Sequence, residues 1–92
     1  MPWQRSQGPA QSIRVWNDKL GDYEEFRRYD SFGGNSYSPT SKSKSEQEAR
    51  ARSVAKYLKS EGHKVRVKRW SNTIGDFYFV VYWFENRKVK AE

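Results

Sequence analysis

The chain has 92 residues, a formal charge of +7, an apolar fraction of 35% and an aromatic fraction of 16%. That is enough for one domain with a modest core built largely from rings, and too few apolar residues in any run to span a membrane. It has no cysteine and a single histidine, His63, which excludes disulfides, thiolate metal sites and the common histidine-rich ones.

The charge is uneven. Residues 12–32 hold four basic and five acidic side chains, residues 33–62 six and three, and residues 63–92 seven and three, so the positive excess sits in the second half. Such a balance favours anionic partners. The opening Met1–Ser6 lacks the apolar segment of a secretion signal, and the expectation is a cytoplasmic protein.

Residues 1–11, with Pro2, Gly8 and Pro9, read as a disordered tail. Ser12–Trp16 alternates polar and apolar residues and predicts a strand. Asn17–Asp22 has turn chemistry. Tyr23–Phe32 fits two patterns. As a helix, Tyr23, Phe26 and Tyr29 recur every three residues behind an Asp22 cap. As a strand, Phe26, Arg28, Asp30 and Phe32 share one face, and Tyr23, Glu25, Arg27 and Tyr29 the other. Its shortness, its rings and the preceding turn favour the strand.

Residues 33–44 read as a flexible connection, in which Ser38-Pro39 is a weak phosphorylation context. A helix is predicted over 46–60, with Ser45 as N-cap, Glu48 completing a capping box, and Ala51, Val54, Ala55 and Leu58 as the buried stripe. Gly62 stops it. His63 follows the helix end, where it suits the dipole better than catalysis. The spacing Ala-x-x-x-x-Val-Ala-x-x-Leu-x-x-x-Gly-x-x-Val-x-Val over 49–67 resembles many helix–strand units, SPOR-type peptidoglycan-binding domains among them. It covers under a quarter of the chain, the rest departs from that pattern, and no residue role is carried over.

Residues 63–70 alternate basic and apolar side chains, and residues 77–84 are aromatic or β-branched throughout. The two runs predict a hairpin across residues 71–76. With Trp70 opposite Phe77, the cations Lys64, Arg66 and Lys68 share a face with Phe79 and Trp83. With the register slipped by one, they share it with Tyr78, Tyr82 and Phe84.

The expected fold is therefore α+β: two layers, a four-stranded antiparallel sheet in ββαββ order with one helix packed on one face. The domain should span 12–88, with 89–92 frayed.

Cations beside rings on an open sheet face suit single-stranded nucleic acid, DNA or RNA, because cations neutralise phosphates and rings stack on bases. The candidate site is Lys64, Arg66, Lys68, Trp70, Phe79 and Trp83, extended by Arg52 and Lys56 on the helix. The competing expectation is a protein-interaction module: a small accessory or inhibitory protein docking on a larger partner, or a homodimer formed through the open face. No cofactor, membrane contact or catalysis is expected, since no acidic pair, nucleophile–base set or glycine-rich phosphate loop stands out.

Overall fold

The structure is a computed structural model that describes residues 8–84. It contains β1 (Ser12–Asn17), β2 (Asp22–Asn35), α1 (Lys44–Ser60), β3 (Lys64–Ser71) and β4 (Asp76–Phe84). The strands form one antiparallel sheet in the order β1-β2-β4-β3, and α1 packs on β2, β4 and β3. This is the expected ββαββ, α+β arrangement. Among the described residues no helix is long and apolar enough to cross a membrane.

The β1–β2 turn is built by Asn17, whose Oδ1 accepts from the backbone N–H groups of Lys19 (2.9 Å) and Leu20 (3.1 Å). Gly21, at φ +68°, supplies the left-handed step that closes it. Tyr23–Phe32 is strand. The register with β4 shifts between Arg28 and Asp30, so Tyr29 is the extra residue of a local irregularity.

β2 does not stop at Phe32. Gly33, Gly34 and Asn35 continue it opposite Tyr78, Phe77 and Asp76, so the connection expected over 33–44 shortens to 36–43. The long β4 offers ladder partners this far, and the Tyr78 ring covers Gly33. The remaining connection is tied down: Asn35 N–H donates to Ser41 Oγ (2.9 Å), and Ser36 N–H to the Gly75 carbonyl (2.7 Å).

A side chain at Gly33 would collide with the Tyr78 ring and the Phe77 carbonyl. Gly33→Ala is therefore expected to cost about 3 kcal/mol, the upper end of overpacking losses. A lower denaturant midpoint with unchanged slope is the signature to look for.

The helix begins two residues earlier than the Ser45 cap implied. Ser43 is the N-cap, its Oγ accepting from Glu46 N–H at 3.2 Å. The Ser-x-x-Glu signature occurs at both Ser43 and Ser45. The earlier start lets Gln47 turn inward and donate to the Gly33 carbonyl (2.8 Å), and it frees Glu48 to pair with Arg52 at 3.2 Å. Gly62, at φ +93°, ends the helix, with His63 N–H donating to the Leu58 carbonyl (3.1 Å).

The main core lies between α1 and the sheet: Ala51, Ala55 and Leu58 against Phe77, Phe79 and Val81, closed by Phe32, Val54, Val65, Val67 and Trp83. The hairpin takes the slipped register. Ser71 belongs to β3 and pairs with Phe77, which puts Trp70 opposite Tyr78, Lys68 opposite Val80, Arg66 opposite Tyr82 and Lys64 opposite Phe84. Asn72 sets this register by accepting on Oδ1 from Ile74 N–H (3.1 Å) and Asp76 N–H (2.9 Å), which confines the turn to the residues after Ser71. Phe79 and Trp83 consequently face the helix, a correction to their expected place beside the cations.

The second sheet face is not open at its centre. Phe26, Val80 and Tyr82 are only 2%, 0% and 3% exposed, with Ile13, Val15 and Tyr78 around them. Residues 9–11 are fastened along this face. Tyr82 Oη donates to the Ala10 carbonyl (2.8 Å), Arg28 N–H to the Gln11 carbonyl (2.7 Å), and Arg28 Nη1 to the Pro9 carbonyl (3.4 Å). The disordered tail expected over 1–11 is thus corrected at its inner end. Its remainder, and the end expected to fray, lie outside the described residues.

Candidate nucleic-acid interface

Among the described residues β3 is an edge strand, hydrogen-bonded to β4 alone. Its period-two alternation sends Val65 and Val67 toward the helix and Lys64, Arg66, Lys68 and Trp70 to the other face. Lys64 is committed: its Nζ lies 2.8 Å from Glu24 Oε2 and 5.6 Å from the centre of the Phe84 ring. Arg66, Lys68 and Arg69 are exposed and have no acidic partner among the described residues. Trp70 packs against Tyr78, with ring centres 5.5 Å apart.

Tyr82, which shares this face, is no stacking platform. It is buried, its hydroxyl is spent on Ala10, and burial raises its phenol pKa, with Arg28 pulling the other way. The usable rings of the face are at its margins.

The second set of cations comes from the helix. Arg52 and Lys56 are one helical step of four apart and Lys59 lies three further on, so all three fall along one flank. That flank overhangs the β3 edge. Arg52, Lys56, Lys59 and Arg66 line a groove of about 420 Å³, floored by Ala55, Val65 and Val67. The small Ala55 leaves the room. Only Arg52 is paired among the described residues, with Glu48 of its own helix.

A second hollow of about 490 Å³ lies at the far end of β3. Lys44, Arg69, Trp70 and Tyr78 border it, and Lys44 Nζ stands 5.7 Å from the centre of the Phe77 ring.

The structure thus gathers Arg52, Lys56 and Arg66 in one groove and sets Lys64, Lys68 and Trp70 on the adjoining strand face. It removes Phe79 and Trp83 to the core. Lys59, Lys44 and Arg69 join the basic band. Lys59 had a legible signal, its spacing from Lys56 on the polar helix flank. Lys44 was legible as a cation of the connection leading into the basic helix, whereas Arg69 had no signal, because its neighbourhood depends on how the helix start meets the hairpin.

A further set of rings lies on the helix side of the sheet where α1 does not reach. Trp16 and Tyr23 face each other across β1 and β2, edge to face at 5.1 Å, and both are exposed. Tyr29 meets Trp83 at 5.0 Å, and Trp83 meets His63 at 4.9 Å.

The electrostatics of Glu24 give a pH prediction. The carboxylate is 9% exposed. Its hydrogen bond from Lys64 holds its pKa below the ordinary value, burial opposes this, and Asn17 adds a smaller lowering. Asp76 is held low in the same sense by Asn35 and then Asn72. A carboxylate whose folded pKa is depressed stabilises the fold above its unfolded pKa, and that contribution disappears as pH falls through the folded value. Thermal midpoints should therefore drop below the usual carboxylate range. Glu24→Gln should be less stable than wild type at pH 7 and lose less on acidification; parallel pH curves for the two proteins would contradict the pairing.

No protein-family model matches the chain, and neither a curated protein nor a solved structure does.

Proposed function

We propose that this protein is a small, basic, non-catalytic nucleic-acid-binding module whose phosphate-binding surface is the α1–β3 groove and the adjoining face of β3. The observation that carries this reading is convergence. Cations on an edge strand are common for a different reason, since they discourage pairing with other chains. That role needs only the strand's own Lys and Arg residues. Here Arg52, Lys56 and Lys59 of the helix border the same groove as Arg66, whose side chain leaves the β3 edge on the opposite face with Lys64 and Lys68. Two elements bringing positive charge to one track is what a polyanion requires.

A protein partner is the second reading, and the outer edge of β3, which no strand covers among the described residues, favours it, because an acidic extended segment would gain ladder hydrogen bonds there. A homodimer through the second sheet face has little to bury, since Phe26, Val80 and Tyr82 are already covered. A cytoplasmic setting fits a chain without cysteine.

Fluorescence anisotropy with a labelled generic oligonucleotide separates the readings. The nucleic-acid reading expects binding at low ionic strength whose log affinity falls linearly with log salt. Absence of binding under those conditions leaves the protein-partner reading as the better account.

A further inference from the structure

We infer that the nucleic acid bound is single-stranded, and that an unpaired base stacks on Trp16 at the β1–β2 turn while its backbone runs through a neighbouring hollow into the α1–β3 groove. This rests on the nucleic-acid reading above and adds to it the strandedness and the base site.

Three observations carry it. The first is the ring itself. Trp16 is 51% exposed and Tyr23 56%, so neither is needed to close the core. Yet the indole is held in place: Nε1 donates to Asp18 Oδ1 at 2.5 Å, and Tyr23 buttresses it edge to face at 5.1 Å. An exposed ring fixed in advance loses little freedom on binding.

The second is continuity. A hollow of about 540 Å³ opens between the β1–β2 turn and the start of β3, bordered by Trp16, Lys19, Lys59, Lys64 and Arg66 and by the carboxylates of Asp18 and Glu24, the latter paired with Lys64. Lys59 and Arg66 also line the α1–β3 groove. The ring and the cations therefore stand along one path.

The third is the separation of charge along that path. At the ring end Asp18, which holds the indole, offsets Lys19, so a neutral base is favoured there over phosphate. Lys56, Lys59 and Arg66 stand at the groove end, where phosphate is attracted. A duplex hides its base faces, so only an unpaired strand uses both ends at once.

The test is anisotropy with a short oligothymidylate and with a duplex of equal length, on the full chain. Trp16→Ala should weaken single-strand binding by about 5- to 150-fold, the range one stacked base contributes. It should leave the salt slope unchanged. Trp16→Phe keeps a ring and should retain most of the affinity, and Tyr23→Ala should lose part of it. Arg66→Ala should weaken binding and flatten the salt slope. Thermal melts of each variant show whether the fold is kept; if Trp16→Ala alone melts early, Trp16→Phe and Tyr23→Ala decide. If these ring variants bind as wild type while Arg66→Ala does not, the base site is wrong and the groove stands. Equal affinity for the duplex overturns the strandedness. If wild type binds neither oligonucleotide, the nucleic-acid reading falls and this inference with it.

Discussion

Phe79→Ala is expected to unfold the protein, or bring it close to unfolding, at 25 °C. Phe79 is buried between the sheet and α1, with Phe77 beside it and Ala51, Ala55 and Leu58 in the same cluster. Removing a buried phenylalanine ring costs about 3–5 kcal/mol, because the transfer energy of the ring and the cavity left behind act together. Small domains have about 5–15 kcal/mol of total stability and sit toward the lower end. The thermal midpoint should fall by more than about 10 °C, if a cooperative transition survives at all. The expectation from sequence was different: Phe79 on a binding face, where truncation affects affinity and not folding. A native-like melt combined with selective loss of oligonucleotide binding would restore that placement and contradict the register.

The second large effect concerns binding. The triple variant Arg52→Ala, Lys56→Ala, Arg66→Ala removes three groove cations that are exposed and outside the core. Each phosphate contact on a single strand contributes about 0.7 to the slope of log affinity against log salt. Three contacts amount to a change of about 2 in slope and, at 0.1 M salt, about 100-fold in affinity. The melt should move little, because the Arg52–Glu48 pair is a surface pair contributing at most about 1 kcal/mol. Unchanged affinity and slope in a folded triple variant would remove the groove from the account. Loss of affinity with an unchanged slope would mean that the cations act by packing rather than by charge.

Much of the fold was legible because its signals are local. The Ser-x-x-Glu cap, the Ala51–Leu58 stripe and the Gly62 stop specify α1, and Asn17 and Gly21 specify the first turn. The cap moved because the same signature stands twice, at Ser43 and Ser45. The remaining misreadings have non-local causes. Residues 77–84 carry an aromatic or β-branched side chain at every position, so either register satisfies the pattern, and the choice rests on how Asn72 folds the turn. Gly33 and Gly34 read as a break, and are strand because β4 supplies partners and Tyr78 covers the gap. Residues 9–11 dock largely through backbone carbonyls, which leave no side-chain signature.

The site was legible as a set of cations and not as a surface. The alternation of Lys64, Arg66 and Lys68 is plain in the sequence. That Arg52, Lys56 and Lys59 meet Arg66 depends on where α1 crosses the sheet. The same crossing leaves β1 and the start of β2 outside the helix's cover, which exposes Trp16 and Tyr23.

The most direct test of the groove as the phosphate-binding surface is an amide NMR titration of the full chain with an oligonucleotide at low salt. The account predicts shift changes concentrated at Arg52, Lys56, Lys59 and along Lys64–Lys68, fading together as salt is raised. No shift changes at low salt, or changes confined to residues away from α1 and β3, would contradict it.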